Sequence, residues 1–230
     1  MISVLTLTYK RHHLLEEAIQ SFLLQTKRED CEMVVINDNA EVDYVFNHDS
    51  VRIINHKERF PSVSAKLEWG YKQCNNDFIY RLDDDDLLMP WALENVMLDI
   101  NSNPGFDIYR SKEMFFFVNN IYQRKGGNIN NGNVYTKAYL DRIEFPTTSF
   151  GEDSDITFGR NGSIYESKLE ATMIYRWGMG TLHISGMGPQ PNEVVLAEAD
   201  RVLDDTKGEI ILSPNFKNDY YEMINEKASN

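Results

Sequence analysis

An unbroken apolar run opens the chain, Ile2–Thr8 (ISVLTLT), and three more follow it: CEMVVIND, VRIIN and DFIYRL. Short runs without polar alternation belong to strands buried on both faces. Helical patterns lie between them. Leu14, Ala18 and Phe22, with Leu15, Ile19 and Leu23 beside them, recur every four residues and form one wide apolar stripe. SVSAKLEWGYKQC reads as a second helix, and Leu93, Val96, Met97 and Ile100 mark a third that ends at NPG. Buried strands alternating with helices imply an α/β fold, a mostly parallel sheet covered on both faces.

In such sheets ligands gather at the carboxyl ends of the strands. Three polar clusters stand there: Thr8-Tyr9, Asn37-Asp38-Asn39 and Asp83-Asp84-Asp85-Asp86. The last, in RLDDDDLLMP, demands an explanation. One or two acids suffice to cap the helix that Pro90 begins. A pair of like charges about 4 Å apart repels by up to ~4 kcal/mol at an effective dielectric near 20. A divalent cation relieves that repulsion and turns the cluster into an oxygen-rich hard-metal site. The acids are contiguous rather than spaced around a glycine, so this is not an EF-hand.

The second half reads differently. FDIYRSKEMFFFVNNIYQ suggests an antiparallel strand pair, KGGNINNGN a flexible loop and YTKAYLDRI a short helix. Glu152-Asp153 suits a helix first turn, and SIYESKLEATMIYRW is strand-like again. From about Gly186 the chain is turn-rich, and NEVVLAEADRVLDD and DYYEMINEK suggest tail helices. Without internal repeats, the 230 residues divide into one domain, 1–187, with halves at 1–103 and 104–187, and a tail, 188–230, of short helices.

The formal charge of −13 repels polyanions, so nucleic acid and anionic membranes are unfavoured partners, with modified DNA left open as an acceptor. Cys31 and Cys74 are far apart and lack metal-ligand spacing, which suggests a reducing compartment. MISVLTLTYKR is no signal peptide, and no stretch approaches the roughly 20 apolar residues that span a bilayer. The expected location is the cytoplasm. The oligomeric state is not set by the sequence.

Taken together, the elements resemble a GT-A fold glycosyltransferase, most similar to the large family 2. VLTLTYKRHHLLEEAIQSFLLQT resembles that family's opening strand and helix, and MVVINDNAE its second strand. SVSAKLEWGYKQCNNDFIYRLDDDDLLMP resembles the helix, strand, acidic motif and proline that follow. FGEDSDITF resembles the later Glu-Asp motif, and EATMIYRWGMGTLHIS the strand and loop that close the catalytic domain. The resemblance covers residues 2 to about 185 in the expected order. It implies a Rossmann-like, mostly parallel sheet flanked by helices, with 1–103 as the nucleotide-sugar half and 104–187 as a smaller, antiparallel acceptor side.

The resemblance also implies roles. Asp85 would bind the Mn²⁺ or Mg²⁺ that bridges a nucleotide-sugar diphosphate, and Asp83 the metal or the ribose, with Asp84 and Asp86 around them. Asp38 would read the nucleoside base, while Thr8, Tyr9 and Arg11 cradle the nucleoside. Asp153 would take the proton from the acceptor hydroxyl, giving inversion, though a retaining outcome stays open. His183 would be a third metal or phosphate ligand, and Arg176 and Trp177 would touch diphosphate or acceptor. Asn37, Asn39 and Ala40 depart from the family's Asp-Asp-Gly-Ser pattern, which leaves base specificity open. Leu67 and Glu68 stand where arginine and asparagine are common, with Lys66 the nearest base for a phosphate. A UDP-sugar is the expected donor, and a glycan or other hydroxyl compound the acceptor. Two competing readings are a GT-A-shaped module that binds nucleotide or glycan without turnover, and a sugar nucleotidyltransferase. The latter would normally carry a glycine-rich phosphate loop, and TLTYKRHH has no glycine.

Overall fold

The structure, a computed structural model, describes residues 1–118, 121–126, 131–178, 183–203, 206–222 and 224. Its first part comprises β1 (Ile2–Thr8), α1 (His12–Leu23), β2 (Cys31–Asn37), β3 (Val42–Val45), β4 (Val51–Asn55), α2 (Val63–Lys72), β5 (Phe78–Arg81), β6 (Leu87–Leu88) and α3 (Ala92–Ser102). There follow β7 (Ile108–Arg110), β8 (Glu113–Val118), β9 (Ile121–Gly126), β10 (Val134–Thr136), α4 (Lys137–Arg142), α5 (Glu152–Ser154), a π-helical turn over Asp155–Gly159, β11 (Ile164–Glu166) and β12 (Met173–Trp177). The last elements are α6 (Ile184–Met187), α7 (Asn192–Val202) and β13 (Gly208–Ile211).

A seven-stranded sheet in the order β11-β7-β10-β5-β1-β2-β4 forms the centre. It is parallel except for β10, which runs antiparallel to both β5 and β7. The unbroken apolar run of β1 is explained by its two covered faces. Ile2 and Val4 pack with Leu15, Ala18, Ile19 and Phe22 of α1 and with Leu93 and Val96 of α3. Leu5 and Leu7 turn the other way, to Leu67 and Tyr71 of α2 and Tyr139 and Leu140 of α4. Each such buried aliphatic side chain contributes roughly 1.5–3 kcal/mol. Ser62 caps α2 by accepting from Ala65 N–H at 3.0 Å. Gly70 lets that helix lie close to the sheet, since an added Cβ would stand 3.2 Å from both Ile36 Cγ1 and Leu5 Cδ1.

The second half departs from the sequence reading in three places. Only β8 and β9 form the expected antiparallel pair, whereas β7 joins the main sheet. The smaller sheet, β6-β12-β8-β9, is mixed rather than antiparallel, because β12 runs parallel to β8. The tail holds a strand as well as helices: β13 pairs in parallel with β3, itself unanticipated. Both short strands exist through pairing partners far away in the chain, which no local pattern announces. The Gly/Asn loop lies partly outside the described residues, at 127–130, as do 179–182 of GMGTLHIS.

Candidate functional site

Because β1, β2 and β5 run parallel, their carboxyl ends share one edge, and Thr8 lies opposite Asn37 in register. A cleft of ≈ 1040 Å³ opens there. Thr8, Tyr9, Arg11, Lys66, Arg81, Asp83, Asp85, Asp153 and His183 all contribute to its wall. An adjoining recess of ≈ 360 Å³ takes in Tyr9, Lys10, Asp38, Asn39, Arg59 and Asp200.

The acidic loop follows β5. Asp83 and Asp85 face the cleft, while Asp84 and Asp86 are turned into the protein, 0% and 1% exposed. Asp83, Asp85 and Asp86 each place a carboxylate oxygen within 4.8 Å of the others. Burial pushes the Asp83 and Asp86 carboxyls above the usual range and that of Asp84 up to about 6, with the neighbouring aspartates adding to the rise. Three converging hard oxygens, on a loop where burial disfavours the charges of Asp83 and Asp86, fit a divalent cation. Asp86 is already committed, accepting from Arg176 N–H at 2.9 Å and from Asn131 Nδ2. Asn131 also donates to Asp83 at 2.9 Å. Asp83 and Asp85, the two acids on the cleft wall, could hold such an ion, with Asp86 behind them.

Arg11 sits across the loop, paired with Asp84 and with Asp85, the latter at 2.9 Å. Its guanidinium is thus spent largely on the aspartates rather than held ready for a nucleoside. His183 approaches Asp85, Nδ1 to Oδ2 3.9 Å, and stacks on Trp177 at 4.3 Å between centroids. Burial holds its pKa below the usual histidine value, so the ring is neutral at pH 7. Its Nε2 accepts from Gly178 N–H at 3.1 Å, which leaves the neutral ring's proton on Nδ1, toward Asp85. In this arrangement His183 turns an N–H rather than a lone pair toward Asp85, contrary to its expected role as a metal ligand.

Lys66 donates to Thr8 O at 2.6 Å and to Asp38 Oδ1 at 2.5 Å, and burial lowers its pKa. Asp38 also accepts from Phe60 N–H at 3.1 Å. Both are therefore engaged within the protein, and the phosphate contact expected of Lys66 gives way to this pair. Arg59 and Lys10 are the bases of the recess instead, the Arg59 guanidinium 3.2 Å above the Tyr9 ring. Arg176 is fully buried behind the acidic loop and absent from the cleft wall, so the expected diphosphate contact is replaced by internal bonds.

Asp153 also lines the cleft. Gly151, left-handed at φ +69°, turns the chain into α5 and presents Glu152 and Asp153 in its first turn. Arg81 connects the two acidic motifs: Nη2 pairs with Glu152 at 2.9 Å and lies 3.4 Å from Asp83, and Nη1 lies 3.7 Å from Asp153. Helix α7 closes another side through Val195, Leu196 and Ala199. Asp200 on that helix accepts from Tyr9 Oη and, at 3.1 Å, from Arg59.

Sequence reasoning missed Arg59, Arg81 and Asn131. The two arginines could have been found, since Arg81 stands near the carboxyl end of the predicted strand DFIYRL and Arg59 lies four residues past VRIIN. Asn131 could not: its loop carries no periodic signal, and its role comes from where the chain returns.

Comparisons with known proteins bear directly on this cleft. The family model described as Glycosyl transferase family 2 matches residues 3–154, which include both acidic motifs. S. aureus TarS 1-349 in complex with UDP-GlcNAc superposes with a TM-score of 0.65 at 17% identity, covering 80% of this chain and 60% of that one. The mannosyltransferase PcManGT from Pyrobaculum calidifontis, in complex with GDP-Man and Mn²⁺, gives 0.58 at 14% identity, over 90% of this chain and 65% of that one. These likenesses show a shared GT-A fold, and the chain spans less than two thirds of the length of either structure. Comparison with curated proteins found no match.

Proposed function

The chain belongs to glycosyl transferase family 2, and from that premise we propose a metal-dependent transfer of a sugar from a nucleotide-diphosphate donor to an acceptor hydroxyl. One observation carries this reading: Asp83, Asp85 and Asp153 line a single cleft, and Arg81 lies between Asp83 and Asp153.

In this reading residues 1–103 supply the donor side and 104–187 the acceptor side, with α7 of the tail closing the cleft. Asp83 and Asp85 hold Mn²⁺ or Mg²⁺, which when bound supplies Lewis-acid stabilisation to the departing diphosphate. Tyr9 and Arg59 flank the recess beside Asp38, a place for the nucleoside of a UDP-sugar. Asp153 removes the proton from the acceptor hydroxyl as its oxygen attacks the anomeric carbon from the side opposite the leaving group, which inverts the configuration. Arg81 keeps Asp153 directed into the cleft while remaining paired with buried Glu152. The acceptor is a glycan or another hydroxyl compound. Among the described residues no helix is long and apolar enough to cross a membrane. The two free cysteines, Cys31 and Cys74, suit a reaction in the cytoplasm.

A thermal-shift screen of nucleotide sugars with Mn²⁺, followed by turnover of the best ligand, tests the proposal. Metal-dependent release of a nucleoside diphosphate supports transfer. Pyrophosphate release from UTP or CTP would mark a nucleotidyltransferase, and binding without turnover a recognition module.

A further inference from the structure

Behind the acidic loop, on the side away from the cleft, a buried ionic cluster ties the tail to the metal site. Its centre is Arg176 on β12, 0% exposed. At one end Arg176 holds the loop twice: its backbone N–H donates to Asp86 Oδ1 at 2.9 Å, and its Nε–H donates to the carbonyl oxygen of Asp85. At the other end Nη1 donates to Glu17 of α1 and, at 3.1 Å, to Tyr220 Oη. Glu17, 1% exposed, also accepts from Tyr220 Oη at 3.1 Å and from Lys217 N–H at 2.8 Å. Tyr220 is itself fully buried, packed with Leu87, Met89, Phe117 and Ile174.

A buried ion pair of this kind is weak evidence for stability, because desolvation offsets its attraction and apolar residues would fill the space as well. A guanidinium does something an apolar side chain cannot. Its planar fork fixes several acceptors in one geometry, and here one acceptor is the backbone of Asp85. Contacts one step removed from a metal commonly set its affinity by holding the ligands in place.

We propose that Arg176 is a positioning residue for Asp85, and that Glu17 together with Tyr220 of the C-terminal segment completes its seat, so that the tail sets the divalent-cation affinity of the acidic loop. The inference rests on the reading of that loop as the metal site. It makes the tail a working part of the site, although the family match ends at residue 154.

The test measures Mn²⁺ affinity by electron paramagnetic resonance of the free ion, in the full chain and in Asp85→Ala, Arg176→Lys and Tyr220→Phe, with folding followed by circular dichroism. Asp85→Ala is expected to lose Mn²⁺ binding. Arg176→Lys, which keeps the charge but not the fork, is expected to weaken it by roughly 10- to 100-fold, and Tyr220→Phe by ~10-fold. In Tyr220→Phe, donor KM should return to the parent value at saturating Mn²⁺, a rescue that a merely structural defect would not show. Unchanged Mn²⁺ affinity in a folded Tyr220→Phe or Arg176→Lys, or a loss that only tracks unfolding, overturns the inference while Asp85→Ala still supports the metal site. Mn²⁺ binding retained by Asp85→Ala overturns the metal site and the inference together.

Discussion

Arg81 and Glu152 form a buried ion pair, 2.9 Å between Nη2 and Oε1, at the junction of the two acidic motifs. Both side chains are almost wholly enclosed, 5% and 7% exposed. Removing one partner of such a pair leaves the other charge buried and uncompensated. Arg81→Met should therefore lose about 3–5 kcal/mol of stability, measured by urea unfolding. A loss below ~1 kcal/mol would show that the pair is dispensable.

The same pair sets a pH dependence. Burial pushes the Glu152 carboxyl up to about 7, despite the pull of Arg81, whereas an unfolded glutamate titrates near ~4.3. Between those values the folded chain binds a proton that the unfolded chain has released. Stability from this group is therefore present at low pH and falls as pH rises through the window, by at most ~1.4 kcal/mol per pH unit. Glu152→Gln should flatten that slope between pH 5 and 8 in urea midpoints. Parallel curves for the two proteins would exclude the titration.

Asp153 is the proposed base, and its Oδ1 accepts from Ser154 N–H at 2.9 Å. Asp153→Asn should lower kcat by ~10²- to 10⁴-fold, with Mn²⁺ and nucleotide affinity unchanged by calorimetry. A kcat within about threefold of the parent would move the base elsewhere.

Gly132 adopts φ +72°, and a Cβ there would stand 2.2 Å from Met173 Sδ. Gly132→Ala meets both backbone strain and a clash, and should cost ~1–3 kcal/mol. It also disturbs neighbouring Asn131, which donates to Asp83. Thermal unfolding and Mn²⁺ titration of the same variant would detect the two effects separately.

How much of this could be read beforehand follows the range of the interactions involved. The strands β1, β2, β4 and β5 and helices α1 to α3 are written in local periodicity, and the strand-end rule located the acidic loop and Thr8-Tyr9. The role proposed for Asp153 rests on family resemblance alone, since a glutamate-aspartate pair fits an ordinary helix start equally well. The commitments of Arg176 to Glu17 and Tyr220, of Lys66 to Asp38 and of His183 to Gly178 were not legible. Each joins residues whose nearness is created by the fold or by a local turn, and a charged side chain reads alike in a sequence whether it meets solvent, ligand or a buried partner. The pairing of β13 with β3 was hidden for the same reason.

The most direct measurement is calorimetric titration of UDP into the protein and into Asp85→Ala, each with and without Mn²⁺. The expected result is UDP binding to the parent that requires Mn²⁺, and a loss of at least ~100-fold in Asp85→Ala. Equal affinity of both proteins for UDP in the presence of Mn²⁺ would contradict a metal-held diphosphate at the end of β5.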